Sequence, residues 1–138
     1  MTRKIGVTRF SVSLPPTLVE EFDRAWRSMN YKNRSKATHD AIQSFITEFT
    51  WTNRENERAA GAILALYYLD KPNLLEGIVG AQHKFINIVS STMHIHLEED
   101  KCLEIIAVNG NVKEIKSLAQ ELMAKKGVKQ VKVAVVTP

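Results

Sequence analysis

The chain has 138 residues, of which 44% are hydrophobic and 25% charged, values that fit a globular protein of one or two small domains. It has no apolar run of transmembrane length, no signal-type N-terminus and a single cysteine, so we expect a cytoplasmic protein without disulfides or a membrane partner. The net charge is +4, and residues 1–36 hold eight Lys or Arg against three Asp or Glu. This bias predicts a polyanionic partner at one end, although charge alone also fits a chance solubility bias.

The first 50 residues show two different periods. Residues 9–14 alternate between apolar and polar side chains, which predicts a strand with Arg9, Ser11 and Ser13 on its polar face. Pro15-Pro16 ends this strand and suits the first turn of a helix. Apolar residues then follow at helical spacing in two segments, of which Asn33 or Ser35 can cap the second. Their apolar positions are Leu18, Phe22, Ala25, Trp26 and Met29, then Ala37, Ala41, Ile42, Phe45, Ile46 and Phe49.

One strand and two helices leave backbone groups unpaired and give little core, and both problems disappear if two copies pair. With Asn33-Arg34-Ser35 at the start of the second helix, this pattern resembles the ribbon-helix-helix DNA-binding family. The resemblance implies that paired strands enter the major groove and that Arg9, Ser11 and Ser13 face base edges. The alternative for these three side chains is an ordinary solvated strand face.

Residues 51–58 are polar and are interpreted as a linker, into which the second helix can run by a turn. We therefore expect a DNA-binding domain over 1–50 and a second domain over 59–138. The second domain shows the order βαββαβ, a ferredoxin-like pattern similar to ACT-type regulatory domains. The overall class is therefore α+β. We see no catalytic dyad or triad and no phosphate-binding glycine loop, and Asn109-Gly110-Asn111 is interpreted as a turn, so an enzyme is not expected. The predicted strands are 59–69, 91–97, 102–108 and 131–136, and the predicted helices are 74–89 and 112–123.

Metal-binding side chains concentrate in one hairpin of this domain. His94 and His96 lie two apart on one strand and share a face, and pairing across the acidic turn 98–101 brings Cys102 beside His96. His83 can join them from its own chain or from a partner chain. Three imidazoles and a thiolate suit tetrahedral zinc or planar nickel and copper. Each residue alone also has a plainer role, as a solvated histidine or a small buried hydrophobe.

Taken together, the two domain patterns and the segments Gln82-His83, His94-x-His96 and Cys102-Leu103-Glu104 resemble the nickel-responsive transcriptional regulators of the NikR family. The resemblance implies one Ni(II) per subunit, held by His94, His96 and Cys102 of one subunit and by His83 of a neighbour in a dimer of dimers. It further implies that Gln82 and Glu104 orient the ligands through hydrogen bonds. Among DNA contacts it implies Arg9, Ser11, Ser13, Asn33, Arg34 and Ser35.

The sequence departs from the family pattern in its first domain. Ser11 and Ser13 stand where threonine is frequent, which predicts a different operator sequence. Lys36 stands where some members have an acidic ligand for a second cation, and His39 stands where arginine is frequent, although Asp40 remains. Arg3 and Lys4 precede the ribbon and are expected to contact the DNA backbone.

The functional prediction is a repressor of nickel uptake genes that binds a two-fold symmetric DNA operator when loaded with Ni(II). Two alternatives stay open at the level of sequence. The first is a ribbon-helix-helix repressor that senses another metal, or an amino acid through its ACT-like domain. The second is a metal carrier without DNA function.

Overall fold

A computed structural model describes residues 6–138; Arg3 and Lys4 lie outside the described residues. The chain groups into two compact units, one running to Gln43 and the other spanning Ser44–Pro138. Within the described range, no helix is long and apolar enough to cross a membrane. The elements in chain order are α1 (Pro16–Ser28), α2 (Arg34–Asn53), β1 (Arg58–Tyr68), α3 (Leu74–Lys84), β2 (Val89–His96), β3 (Lys101–Asn111), α4 (Val112–Met123) and β4 (Val128–Val136).

The two N-terminal helices begin and join as the sequence predicts. Pro16 occupies the first position of α1, and the Asn33 side-chain oxygen accepts a hydrogen bond from the Lys36 amide at 2.8 Å, so Asn33 caps α2. Arg34 donates to both carboxylate oxygens of Asp23, at 2.9 and 2.6 Å, which ties the start of α2 to α1. Residues 7–15 have no ladder partner among residues 6–138, so the strand at 9–14 stays a prediction that needs a second copy.

The C-terminal unit contains a four-stranded antiparallel sheet in the order β2-β3-β1-β4. This order and the element sequence βαββαβ agree with the predicted ferredoxin-like domain. Helices α3 and α4 cover one face of the sheet, because the buried positions of β1 and β3 alternate and all point to that side. The core they form includes Ile63, Tyr67, Leu74, Ile78, Cys102, Ile106, Val112, Ile115, Leu118 and Leu122.

Three predicted boundaries in this unit are wrong. Helix α3 ends at Lys84 rather than near residue 89, since Phe85 leaves helical geometry and the apolar Ile86 is 67% exposed and off the core. Asn109-Gly110-Asn111 is not a turn but the end of β3, paired with Arg58–Ala60 of β1. The last strand begins at Val128, directly after Gly127 turns the chain with a positive φ.

The predicted linker is partly structured, because α2 continues to Asn53 and the following residues bond to α4. The carbonyls of Glu57 and Glu55 accept hydrogen bonds from the Val112 and Lys113 amides, at 2.9 and 3.0 Å. These amides belong to the first turn of α4 and have no partner inside the helix. The linker carbonyls therefore satisfy the N-terminus of α4, which directly follows the strand that carries Cys102.

Gly61 is required by the close approach of β1 to β4. A methyl group placed on it would collide with the Ala134 carbonyl oxygen, whereas Gly80 in α3 has open space around the same position. We expect Gly61→Ala to lower the free energy of unfolding by about 1–3 kcal/mol because the backbone must shift. Gly80→Ala is the matched control and should raise it by up to about 1 kcal/mol. Chemical denaturation at one protein concentration measures both, and equal stability of the two variants would contradict the packing.

Candidate metal centre

Three potential metal donors meet at one end of the β2–β3 hairpin. The register pairs His96 with Cys102 and His94 with Glu104, so both histidines and the cysteine point to the helix-covered side. One donor atom from each of His94, His96 and Cys102 lies within 4.8 Å of the others, and the Cys102 Sγ is 3.6 Å from His96 Nδ1. Donors to one ion at ordinary bond lengths are about 3–4 Å apart, so the hairpin already brings this set near binding distance.

Glu104 is a buried carboxylate that accepts hydrogen bonds from a metal-donor histidine and from two neighbouring side chains. It is 6% exposed and its Oε2 accepts a hydrogen bond from His94 Nδ1–H at 2.9 Å. The same oxygen accepts the Tyr67 hydroxyl at 3.1 Å, and Oε1 accepts the Gln82 side-chain amide at 3.4 Å. Because a proton on Nδ1 leaves Nε2 of His94 with its lone pair, this carboxylate directs Nε2 toward a metal.

The electrostatic environment keeps the two acidic groups beside Glu104 protonated. Burial raises the pKa of the Cys102 thiol, and the negative charge of Glu104 raises it further. Burial likewise raises the pKa of Tyr67, assisted by the charge and hydrogen bond of Glu104. In the metal-free protein at neutral pH, Cys102 is thus a thiol, and a metal must displace its proton.

His83 stands apart from the three grouped donors. It lies in the last turn of α3, is exposed, and lines a small concavity of about 150 Å³ together with Gln82, Ile86 and Thr92. Among the described residues, His94, His96 and Cys102 have donor atoms close enough together to hold one metal ion, and His83 is not part of this group. Within one chain the donor set is therefore three, and His83 faces outward.

The grouped side chains fit a borderline transition metal by their chemistry. Two imidazoles and a thiolate are the donors that select zinc, nickel or copper over magnesium or calcium. Three protein donors leave at least one coordination position for another ligand.

The residues expected to contact DNA divide into two groups. Arg9, Ser11 and Ser13 are exposed on the extended N-terminal segment, and Ser35 is exposed at the start of α2. Asn33 and Arg34 instead have local roles, as the cap of α2 and as the partner of Asp23. Hydrogen bonds from Arg34 and Trp26 lower the pKa of Asp23 to about 2, so this ion pair persists at neutral pH.

Lys36, which stands where the family resemblance implies an acidic ligand for a second cation, forms an ion pair with Asp40. Its Nζ lies 2.7 Å from Asp40 Oδ1, and Asp40 also contacts Tyr31 Oη at 2.9 Å and His39 Nδ1 at 3.0 Å. Hydrogen bonds from Lys36, His39 and Tyr31 hold the pKa of Asp40 well below its usual range. The Asp40 carboxylate is therefore already paired with a cation, the ammonium group of Lys36.

Tyr67 is a site residue that the sequence did not reveal, since it lies inside the predicted strand 59–69 with no motif of its own. A fully buried tyrosine needs a hydrogen-bond partner for its hydroxyl, but the partner here, Glu104, lies on another strand, so no local sequence pattern identifies it. The register pairs Tyr67 with Cys102 and places its ring 6.2 Å from that of His94, centroid to centroid.

Comparison with known proteins points to one family. Residues 60–136 match the family model described as the NikR C-terminal nickel-binding domain. A relative from Syntrophus aciditrophicus is 44% identical over 89% of this chain and 88% of its own, and one from Pyrococcus abyssi is 40% identical over 91% and 90%. A third, from Methanocaldococcus jannaschii, is 40% identical over 94% and 92%. All three carry the name of a nickel-responsive regulator.

Metal binding should be coupled to proton release because the Cys102 thiol is protonated in the metal-free protein. With nickel as the probe, each unit of pH decrease should weaken the apparent affinity about tenfold for the one proton displaced from sulfur. Calorimetric titration in two buffers of different ionisation enthalpy counts the protons. Cys102→Ala should release one proton fewer; wild-type protein that releases none at pH 7 would contradict the thiol assignment.

Proposed function

This chain belongs to the family of nickel-responsive regulators, and on that premise we propose that it is a cytoplasmic repressor that binds operator DNA when loaded with Ni(II). Its relatives are named as regulators and its matched domain as nickel-binding, so the protein is not an enzyme. The observation that carries the proposal is the group of His94, His96 and Cys102 backed by the buried Glu104.

The proposed nickel site takes His94, His96 and Cys102 from one subunit and His83 from another, with one Ni(II) per subunit. The support is geometric: three donors converge within one chain, while His83 faces outward from the end of α3. Gln82 and Glu104 orient the set through their hydrogen bond and through the bond of Glu104 to His94. When bound, the metal supplies a cross-link between subunits.

Self-association is proposed because the N-terminal segment with helices α1 and α2, and the C-terminal sheet, both expose apolar surface at ordered positions. The N-terminal segment and helices expose residues that alternate or recur every turn: Phe10, Val12, Leu14, Leu18, Ile42, Phe45, Ile46 and Phe49. In the second unit, the sheet face opposite the helices carries half-buried or exposed apolar residues at paired positions: Leu64, Leu66, Met93, Ile95, Leu103 and Ile105. Two separate apolar faces suit a dimer of dimers, in which each face has its own partner.

DNA recognition is proposed for the N-terminal segment of paired subunits. Arg9, Ser11 and Ser13 are exposed, and guanidinium and hydroxyl groups can read base edges in the major groove. Asn33, Arg34 and Ser35 lie at the start of α2, and the first turn of a helix favours an anion such as a backbone phosphate. A dimer of dimers would place two such ribbons on two half-sites of a symmetric operator.

The route proposed between metal and DNA domains runs through β3 and α4. Strand β3 carries Cys102 and ends at Asn111, where α4 begins. The first amides of α4 are bonded to the carbonyls of Glu55 and Glu57, which follow α2 directly. Because coupling is reciprocal, DNA should tighten nickel binding by the same factor by which nickel tightens DNA binding.

DNA binding should depend on both nickel and Arg9. The probe is a duplex selected from a randomised pool with nickel-loaded protein, and fluorescence anisotropy measures affinity with and without nickel. Wild type should bind at least tenfold more tightly with nickel, and Arg9→Ala should lose about tenfold or more on the selected duplex while keeping nickel affinity. Arg24→Ala, an exposed cation on α1, is the charge-matched control. Equal wild-type affinity in both states would refute regulation by nickel.

Cross-subunit ligation by His83 can be tested by complementation. Subunits carrying His83→Ala and subunits carrying Cys102→Ala each lack one donor in every site. Refolded together at equal amounts, they should regain about one complete site in four chains if His83 acts across the interface, because half of the pairs are mixed and each holds one intact set. The quantity measured is the number of tight nickel sites per chain, determined by competition with a chelator. If His83 ligates within its own chain, the mixture should regain none.

A further inference from the structure

Tyr67 lies at the bottom of the donor cluster without being a metal ligand. It is 0% exposed, and its Cα partner on β3 is Cys102. Its ring is tilted by 59° against the His94 ring. A buried hydroxyl at this depth is costly unless it is hydrogen-bonded, so its partners define what it does.

The Tyr67 hydroxyl donates its hydrogen bond to Glu104. Tyr67 Oη lies 3.1 Å from Glu104 Oε2 and 3.1 Å from His94 Nδ1, and Nδ1 itself lies 2.9 Å from the same Oε2. A carboxylate is a stronger acceptor than an imidazole nitrogen, so both protons point at Oε2. Donors from β1 and β2 thus hold one oxygen of a side chain on β3.

Fixing Oε2 determines where the other oxygen points. Oε1 faces α3, where the Gln82 side-chain amide donates to it at 3.4 Å, the longest bond of the three. A carboxylate held by one donor can rotate, and the long bond would be lost first. Gln82 directly precedes His83 in the last turn of α3, so this bond connects the helix end to the three strands.

We propose that Tyr67 is a positioning residue for the metal site: by fixing Glu104 Oε2 it keeps Oε1 bonded to Gln82, and so holds the end of α3, from which His83 reaches the donors of a neighbouring subunit, against the sheet of its own chain. The inference rests on the proposed function in that His83 is taken as a ligand. It adds a role for the Tyr67 hydroxyl, which is bonded to Glu104 and is not itself part of the donor set.

The first test compares Tyr67→Phe with wild type in the metal-free full-length protein. Amide hydrogen exchange should become faster at Phe85 and Ile86, whose amides close the last turn of α3 by bonding to Ala81 and His83. Exchange along β3 should not change, and nickel affinity should fall about tenfold. Tyr68→Phe is the matched control, since Tyr68 is the next residue on β1 and points to the opposite face.

The second test is a double-mutant cycle on nickel affinity with Gln82→Met, which removes the amide but keeps the length of the side chain. If Tyr67 acts through Glu104 and Gln82, the second substitution should cost little once the first is present. Additive losses would overturn the proposal. So would unchanged exchange at the end of α3, or faster exchange throughout the sheet, which would mark Tyr67 as a general stabiliser. Failure of wild type to bind nickel would instead refute the proposed function.

Discussion

The register of the β2–β3 hairpin is the constraint on which the candidate site depends. It places His96 opposite Cys102 and His94 opposite Glu104, on the side covered by the helices. A shift of one residue would turn both histidines to the open face and leave Glu104 buried without its imidazole partner. The register is fixed at the turn, where Glu99 and Asp100 have positive φ and the Leu97 amide bonds to the Lys101 carbonyl at 2.8 Å. The acidic turn, which carries no donor itself, therefore decides where the donors lie.

Local patterns predicted the elements well and the tertiary details poorly. The apolar run of residues 59–69 predicts the buried strand β1, and the helical spacing of Val112 to Met123 predicts α4. The end of α3 was missed because Phe85 and Ile86 continue an apolar period after the backbone has left the helix. In the site, the grouping of His94, His96 and Cys102 follows from adjacent strands. The role of Tyr67 depends on the pairing of β1 with β3. This pairing joins Tyr67 to Cys102, 35 residues later in the sequence, and no local sequence pattern indicates it.

Both units of the chain leave apolar surface exposed, and the metal site of the second unit lacks a fourth donor. In the first unit, Leu18 is 47% exposed on α1, a helix in which no residue is buried, and in the second unit Met93 is 59% exposed on the open face of the sheet. The donor set has three members where four-coordinate metals take four. Burying the apolar faces against other copies and adding His83 from one of them would resolve both deficits at once. Assembly and metal occupancy would then favour each other, which is what a ligand-dependent change in DNA affinity requires.

The buried Glu104 also bears on how tightly such a site can bind. Its charge and the burial of Cys102 raise the pKa of the thiol, so part of the metal-binding energy is used to displace a proton. The same charge stabilises the His94 tautomer whose Nε2 is available to the metal. The two effects oppose each other: the carboxylate prepares the imidazole and penalises the thiolate until a cation arrives to offset its charge. A site built this way stays protonated and neutral at sulfur when metal is scarce, and with the proposed ligand set it would bind strongly only when another subunit supplies His83.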